Sequence, residues 1–178
     1  MSKRRYRQSI RVSCLRPSHH LGQLRLGALT FRCSIGRTGI RALKREGDGA
    51  SPLGRHRLLS VLYRPDRVPR PRTGLPVRII RETDGWCDAS SDRNYNRPVR
   101  MPYPASAEEL WRADGLYDIV VVVDHNVRRR GRGHGSAIFM HVAEAGYGPT
   151  AGCVALRREH LTRLLAALTP RAILAIGR

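Results

Sequence analysis

Apolar and polar positions alternate with the two-residue period of strands in several short stretches of the chain. Residues 23–33 show it first, with Leu24, Leu26, Ala28 and Thr30 set against Arg25, Leu29 and Phe31. Residues 58–63 and 77–80 read as further strands. Residues 119–123 are an unbroken run of Ile and Val, which suits a buried strand. Residues 136–142 form a strand that ends around His141, and residues 172–176 form a last one. Two stretches read as helices. Residues 106–112 begin with a capping box, Ser106 followed by Glu109. Residues 157–168 place Leu161, Leu164, Leu165 and Leu168 on one face, with Pro170 just beyond.

Breakers separate these elements. Residues 46–57 are rich in Gly, Ser and Pro, and residues 64–76 carry Pro65, Pro69, Pro71 and Pro76. Residues 84–104 show little periodicity and read as a long polar loop with aromatics, a kind of loop that usually serves function. Residues 127–135 are a basic, Gly-containing turn. Strands outnumber helices and no segment repeats. The expected fold is therefore mainly β with peripheral helices, of the α+β type.

Composition adds one feature. The 178 residues are ordinary in hydrophobic and charged content, but the formal net charge is +19. Residues 1–45 contain twelve Lys or Arg and no acid. Residues 1–22 are expected to be a basic tail and residues 23–178 a single domain. Such a tail could attract anionic cell-wall polymer, anionic lipid or nucleic acid, or simply be a solvated basic surface. No apolar run reaches the roughly 18 residues of a membrane helix. No continuous apolar segment follows the basic start, so a signal peptide is not expected. The cysteines, Cys14, Cys33, Cys87 and Cys153, form no C-x-x-C pair and suggest no disulfide framework.

The segment HGSAIFMHVAEAGYGPTAGCVAL, residues 134–156, is where chemistry concentrates. A strand ends near His141, a Gly-rich loop follows, and Gly152-Cys153 comes next. A thiol attacks as thiolate and needs a base or a positive environment. The loop can bring His141 back to Cys153. The expectation is a Cys153 thiol within reach of His141, in a groove, with a lowered pKa. Gly152 allows close backbone approach, and the amides of Gly152 and Cys153 could form an oxyanion hole. A buried, inert cysteine is the ordinary alternative.

This stretch resembles the catalytic signature of the YkuD-type L,D-transpeptidases, in which a strand-end His precedes a loop and a Ser/Thr-His-Gly-Cys core. The matching residues here are His141, Thr150, Gly152 and Cys153. The stretches DGWCDA, NYNRPV, LYDIVVVVDHN, GSAIFMHV and PTAGCVAL resemble a compact branch of that family in the same order, so the likeness covers roughly residues 23–178. Ala151 stands where many members carry His, and Ala155 where many carry Arg or Asn near substrate. The resemblance implies a β-sandwich catalytic domain that works without a cofactor or metal. It also implies peptidoglycan stem peptides as partners and a place in the periplasm or cell envelope. The reaction it implies is acyl transfer through a Cys153 thioester, with His141 as base. Its end product is a crosslink, an exchanged D-amino acid or a hydrolysed stem.

Other residues carry two readings. His125-Asn126 and the aromatics Trp86 and Tyr95, with Asp88 and Asn96, line a substrate cleft or pack their own loops. Thr150 contacts substrate or holds the motif. Asp84, Asp88 and Asp92 are solvated acids rather than a paired set. His134 lies between two glycines and reads as exposed. Two other function classes remain. One is a nucleic-acid-binding module driven by the basic tail, with no recognised binding fold to support it and so not the expected partner. The other is a metal hydrolase using His125, His134, His141 and Cys153, whose spacings match no familiar pattern.

Overall fold

The computed structural model describes residues 8–177. It contains fourteen strands and one helix. In chain order these are β1 (Ser9–Cys14), β2 (Leu21–Leu26), β3 (Leu29–Ser34), β4 (Ile40–Arg41), β5 (Ser51–Pro52), β6 (Gly54–Tyr63) and β7 (Val77–Ile79). There follow β8 (Asp84–Cys87), β9 (Arg97–Arg100), β10 (Ala107–Glu109), β11 (Ile119–Val123), β12 (Phe139–Val142), β13 (Val154–Leu156), α1 (Arg158–Ala166) and β14 (Ile173–Gly177).

The main sheet runs β11-β12-β13-β3-β2-β1-β14-β6-β7, and β6 also pairs with β11. Eight strands therefore close into a ring through β6, whose ten residues pair with β14 through the first half and β11 through the second. The mainly β fold expected from the sequence is present. Its sandwich-like layers are opposite walls of one continuous sheet. Alternate residues of every wall point inward: Ile10 and Val12, Leu24 and Leu26, Val121 and Val123, Met140 and Val142, Leu174 and Ile176. Leu161, Leu164 and Leu165 of α1 join the same core and are fully buried. Each contributes about 2 kcal/mol by leaving water.

A second apolar layer lies on the outside of the β6–β11–β12–β13 wall. Val120, Val122, Phe139 and Cys153 belong to it, with Leu62, Trp86, Leu110 and Tyr117 packed against them. This is why β11 reads as an unbroken apolar run: both of its faces are covered, and all five of its residues are buried.

Four expectations need correction. The basic tail was expected to extend to residue 22, but residues 9–14 form β1 inside the ring, pairing with β14 in parallel and β2 antiparallel. Residues 1–7 lie outside the described residues. Residues 23–33 are two strands turning at Gly27, whose φ of +56° favours glycine. Residues 84–104 are not a structureless loop, because β8 pairs with both β9 and β10. The helix at residues 106–112 is absent. Residues 107–109 pair with β8 instead, with Glu109, the expected capping residue, opposite Gly85, and Glu108 accepts from the Tyr117 hydroxyl.

Candidate active site

Strand alternation places His141. Its neighbours Met140 and Val142 point into the ring, so Phe139 and His141 point outward into the second layer. There the ring of Tyr117 meets His141 edge-on, with centroids 5.3 Å apart. His141 Nδ1 lies 2.8 Å from the carbonyl oxygen of Val142. A carbonyl only accepts, so Nδ1 carries the proton and Nε2 is left as a lone-pair acceptor. That is the tautomer a general base requires. Burial lowers the imidazole pKa to about 4, against the partly opposing Val142 hydrogen bond. His141 is therefore neutral at ordinary pH.

Cys153 immediately precedes β13, the strand that pairs with β12 and sets Ala155 opposite His141. Its Sγ donates to the Ala137 carbonyl at 3.3 Å and accepts from the Phe139 N–H at 3.3 Å. Burial pushes the thiol up to about 12, and the Glu108 carboxylate adds to the rise. The lowered thiol pKa expected from sequence is thus overturned, because the low-dielectric layer around Sγ disfavours thiolate more than one N–H stabilises it. The resting pair is thiol and neutral imidazole. Both line one cavity of about 250 Å³, with Glu108, Arg112, Tyr117 and Ala155 also on its walls.

The loop that presents Cys153 is held from three directions. Thr150 Oγ1 donates to the Cys153 carbonyl at 2.7 Å and accepts from the Gly152 N–H at 3.2 Å. The Gly152 carbonyl accepts from Ser51 Oγ at 2.8 Å, and Ser51 Oγ also accepts from the Gly36 N–H. Gly152 has φ +144°, and a Cβ there would sit 2.7 Å from the Ala50 carbonyl oxygen. Only glycine fits that close backbone approach. Because the Gly152 amide is taken by Thr150, it is not free for an oxyanion, contrary to the expectation for both amides.

Of the remaining sequence-derived candidates, Asp88 lines a second, smaller cavity with Cys153 and Glu108, and the others fall elsewhere. Trp86 is buried against Phe139 and donates from Nε1 to Asn96 Oδ1, which also accepts from the Ala137 N–H. Asn96 thereby fixes the segment whose Ala137 carbonyl receives the thiol. Tyr95 is buried and donates its hydroxyl to Glu46. Trp86 and Tyr95 are struts behind the site, not a wall of its cavity. Asn126 pins the turn at residues 127–135 through Gly131 and Gly135. His125 and His134 line a separate depression beside Lys44. The four residues of the metal reading are thus divided between two places. Sequence reasoning missed Glu108, Arg112, Tyr117 and Ser51. Tyr117, next to the apolar run of β11, is the only one with a local signal.

His141 has a consequence for stability. Its folded pKa near 4 lies below the ordinary 6.5. The stabilisation from keeping it neutral is fully present above pH 6.5 and is lost as pH falls toward 4. About 3 kcal/mol should disappear over that interval. His56 and His125, also lowered by burial, act in the same direction. Urea unfolding at successive pH values should show the fall, and His141→Gln should flatten it. An unchanged slope in the variant would place the acid sensitivity elsewhere.

The fold and cavity define a class: a closed β domain in which a strand-borne His and a Cys on a glycine-pinned loop share one pocket. The chain belongs to the YkuD family, described as the L,D-transpeptidase catalytic domain, which it matches over residues 11–176. Among solved structures it is similar to the crystal structure of Mycobacterium tuberculosis L,D-transpeptidase 1, at 14% sequence identity and a TM-score of 0.42. That likeness covers 96% of this chain, which spans 61% of the other chain's length. No curated protein matches the sequence.

Proposed function

We propose that the protein is a peptidoglycan L,D-transpeptidase that transfers an acyl group between stem peptides through a thioester on Cys153. The observation that carries this reading is the shared cavity, which His141, with its proton on Nδ1, and Cys153 both line. As Sγ attacks the carbonyl carbon at the L-centre, the thiol proton passes to Nε2. The oxyanion that forms is assigned to the Cys153 amide, since the Gly152 amide is engaged. Collapse expels the D-residue amine, which takes the proton back from His141 and leaves the thioester. The amine of a second stem then attacks and gives a proton to His141, which passes it to the departing Cys153 sulfur, so that the crosslinked product leaves and thiol and neutral imidazole are restored.

With thiol and imidazole both neutral at rest, deprotonation accompanies attack rather than preceding it. Arg112 also lines the cavity; its Nε and Nη2 are paired with Asp114, which leaves Nη1 as the donor for a stem carboxylate where Ala155 supplies no polar group.

The test is mass spectrometry of disaccharide-peptides incubated with wild type and with Cys153→Ala. Crosslinked dimers from wild type alone are expected, together with a Cys153 adduct from a carbapenem-like β-lactam. Shortened monomers would move the reading to carboxypeptidase, and exchanged D-residues to exchange. Unaltered peptides and no adduct would reject the thiol mechanism.

A further inference from the structure

Five neighbouring strands of the ring, β3, β2, β1, β14 and β6, contain no acidic residue. Their outward positions include Arg11, Arg25, Arg55 and Arg57, all exposed. Register brings three of these into one transverse row: Arg55 is opposite Ala175, Ala175 opposite Arg11, and Arg11 opposite Arg25. With strands about 5 Å apart, Arg11 and Arg25 are immediate neighbours and Arg55 is about 10 Å from Arg11. Like charges directly opposite each other destabilise a sheet. Here nothing offsets the cost, because among the described residues none of Arg11, Arg25, Arg55, Arg57 and Arg171 forms an ion pair.

The row lines a depression of about 350 Å³ together with Leu53, which is 41% exposed. Arg57 and Arg171 extend the basic surface into an adjoining depression. The position of the face is as informative as its charge. β1 is four strands from β12 in either direction around the ring, so Arg11 and His141 are on opposite walls.

We propose that this arginine face docks the protein on a membrane surface bearing anionic phospholipid headgroups. The outer face of a sheet is broad rather than cleft. It offers several guanidinium forks to phosphates at once, and the exposed Leu53 among them suits the boundary between headgroups and acyl chains. A nucleic-acid duplex is the less fitting polyanion, since among the described residues no helix or ribbon projects from this face to enter a groove. Docked this way, the protein turns the His141–Cys153 cavity away from the lipid. The proposal goes beyond the acyl-transfer reading and does not depend on it.

Co-sedimentation of the full chain with vesicles tests it. Binding is expected to phosphatidylcholine vesicles containing phosphatidylglycerol, not to phosphatidylcholine alone, and should weaken as salt is raised. The variant R11Q/R25Q/R55Q should bind roughly 100-fold more weakly, about fivefold for each arginine. R93Q/R97Q/R100Q removes the same charge from exposed positions at and before β9 and should bind like wild type. Should the first variant unfold, R55Q/R57Q on β6 takes its place, with an expected loss of roughly 25-fold. Equal losses in the facial and control variants would overturn the proposal, as would no vesicle binding. So would a DNA duplex that displaces the protein from vesicles at the same ionic strength.

Discussion

Cys153→Ala, His141→Gln and the double variant are expected to lose acyl transfer to the same extent, about 10⁴-fold in kcat/KM. In the proposed mechanism the two groups act as a unit. Without the thiol, His141 Nε2 has no proton to take. Without Nε2, the thiol keeps its proton, because its pKa near 12 makes spontaneous thiolate scarce. Additive losses would show that each group contributes separately. The wild-type pH profile of kcat/KM should support the same picture. The base is available above about pH 4 and the thiol is protonated below about pH 12, so the profile should be a broad plateau. A limb near neutrality would instead indicate a preformed thiolate–imidazolium pair.

Gly152→Ala is expected to destabilise the protein by about 3 kcal/mol and lower Tm by roughly 10 °C. The new Cβ would meet the Ala50 carbonyl oxygen at 2.7 Å, and φ +144° is poorly tolerated by any L side chain. Neither side can easily yield, since Ser51 holds the Gly152 carbonyl and Thr150 its amide. Gly27→Ala is the matched control. Its φ is also positive, at +56°, but nothing lies within 4 Å, so it should cost only about 1 kcal/mol. Thermal unfolding of both variants makes the comparison, and similar losses would mean that strain rather than the Ala50 contact sets the cost. Activity of Gly152→Ala should fall as well, because the displaced loop carries Cys153.

Elements whose signal is local were the ones readable from sequence. β11 announces itself because both faces are buried, and α1 because its leucines repeat at helical spacing and proline follows. β1 does not. Only Ile10 and Val12 face the core, arginines surround it, and its strand character comes from pairing with β14, far away in sequence. Ser106 and Glu109 satisfy the rule for a helix start, yet pairing with β8 and the Glu108–Tyr117 contact prevail over it. The site divides the same way. His141, Gly152 and Cys153 lie within one short segment with motif spacing. Glu108, Arg112 and Ser51 reach it only through the fold. Trp86 and Tyr95 looked like contact residues because aromatics among polar neighbours fit a binding wall as well as a packed strut. Burial distinguishes the two, and sequence does not display it. The acidity of Cys153 was misjudged for a related reason: a nearby His suggests activation, while desolvation by the second layer has no sequence signature.

The parallel pairing of β1 with β14 bears on the order of folding. The Thr169 N–H donates to Gln8 Oε1 across 161 positions, and β1 finds its second neighbour only in β14. Loop-closure entropy makes so distant a contact slow to form. Hairpins such as β2–β3 can form early, but the ring cannot be sealed until β14 arrives. The Ser51–Gly152 bond spans 101 positions, so the loop bearing Cys153 also waits on distant chain. A growing chain therefore carries its thiol without the assembled site, and catalytic competence comes among the last steps of folding.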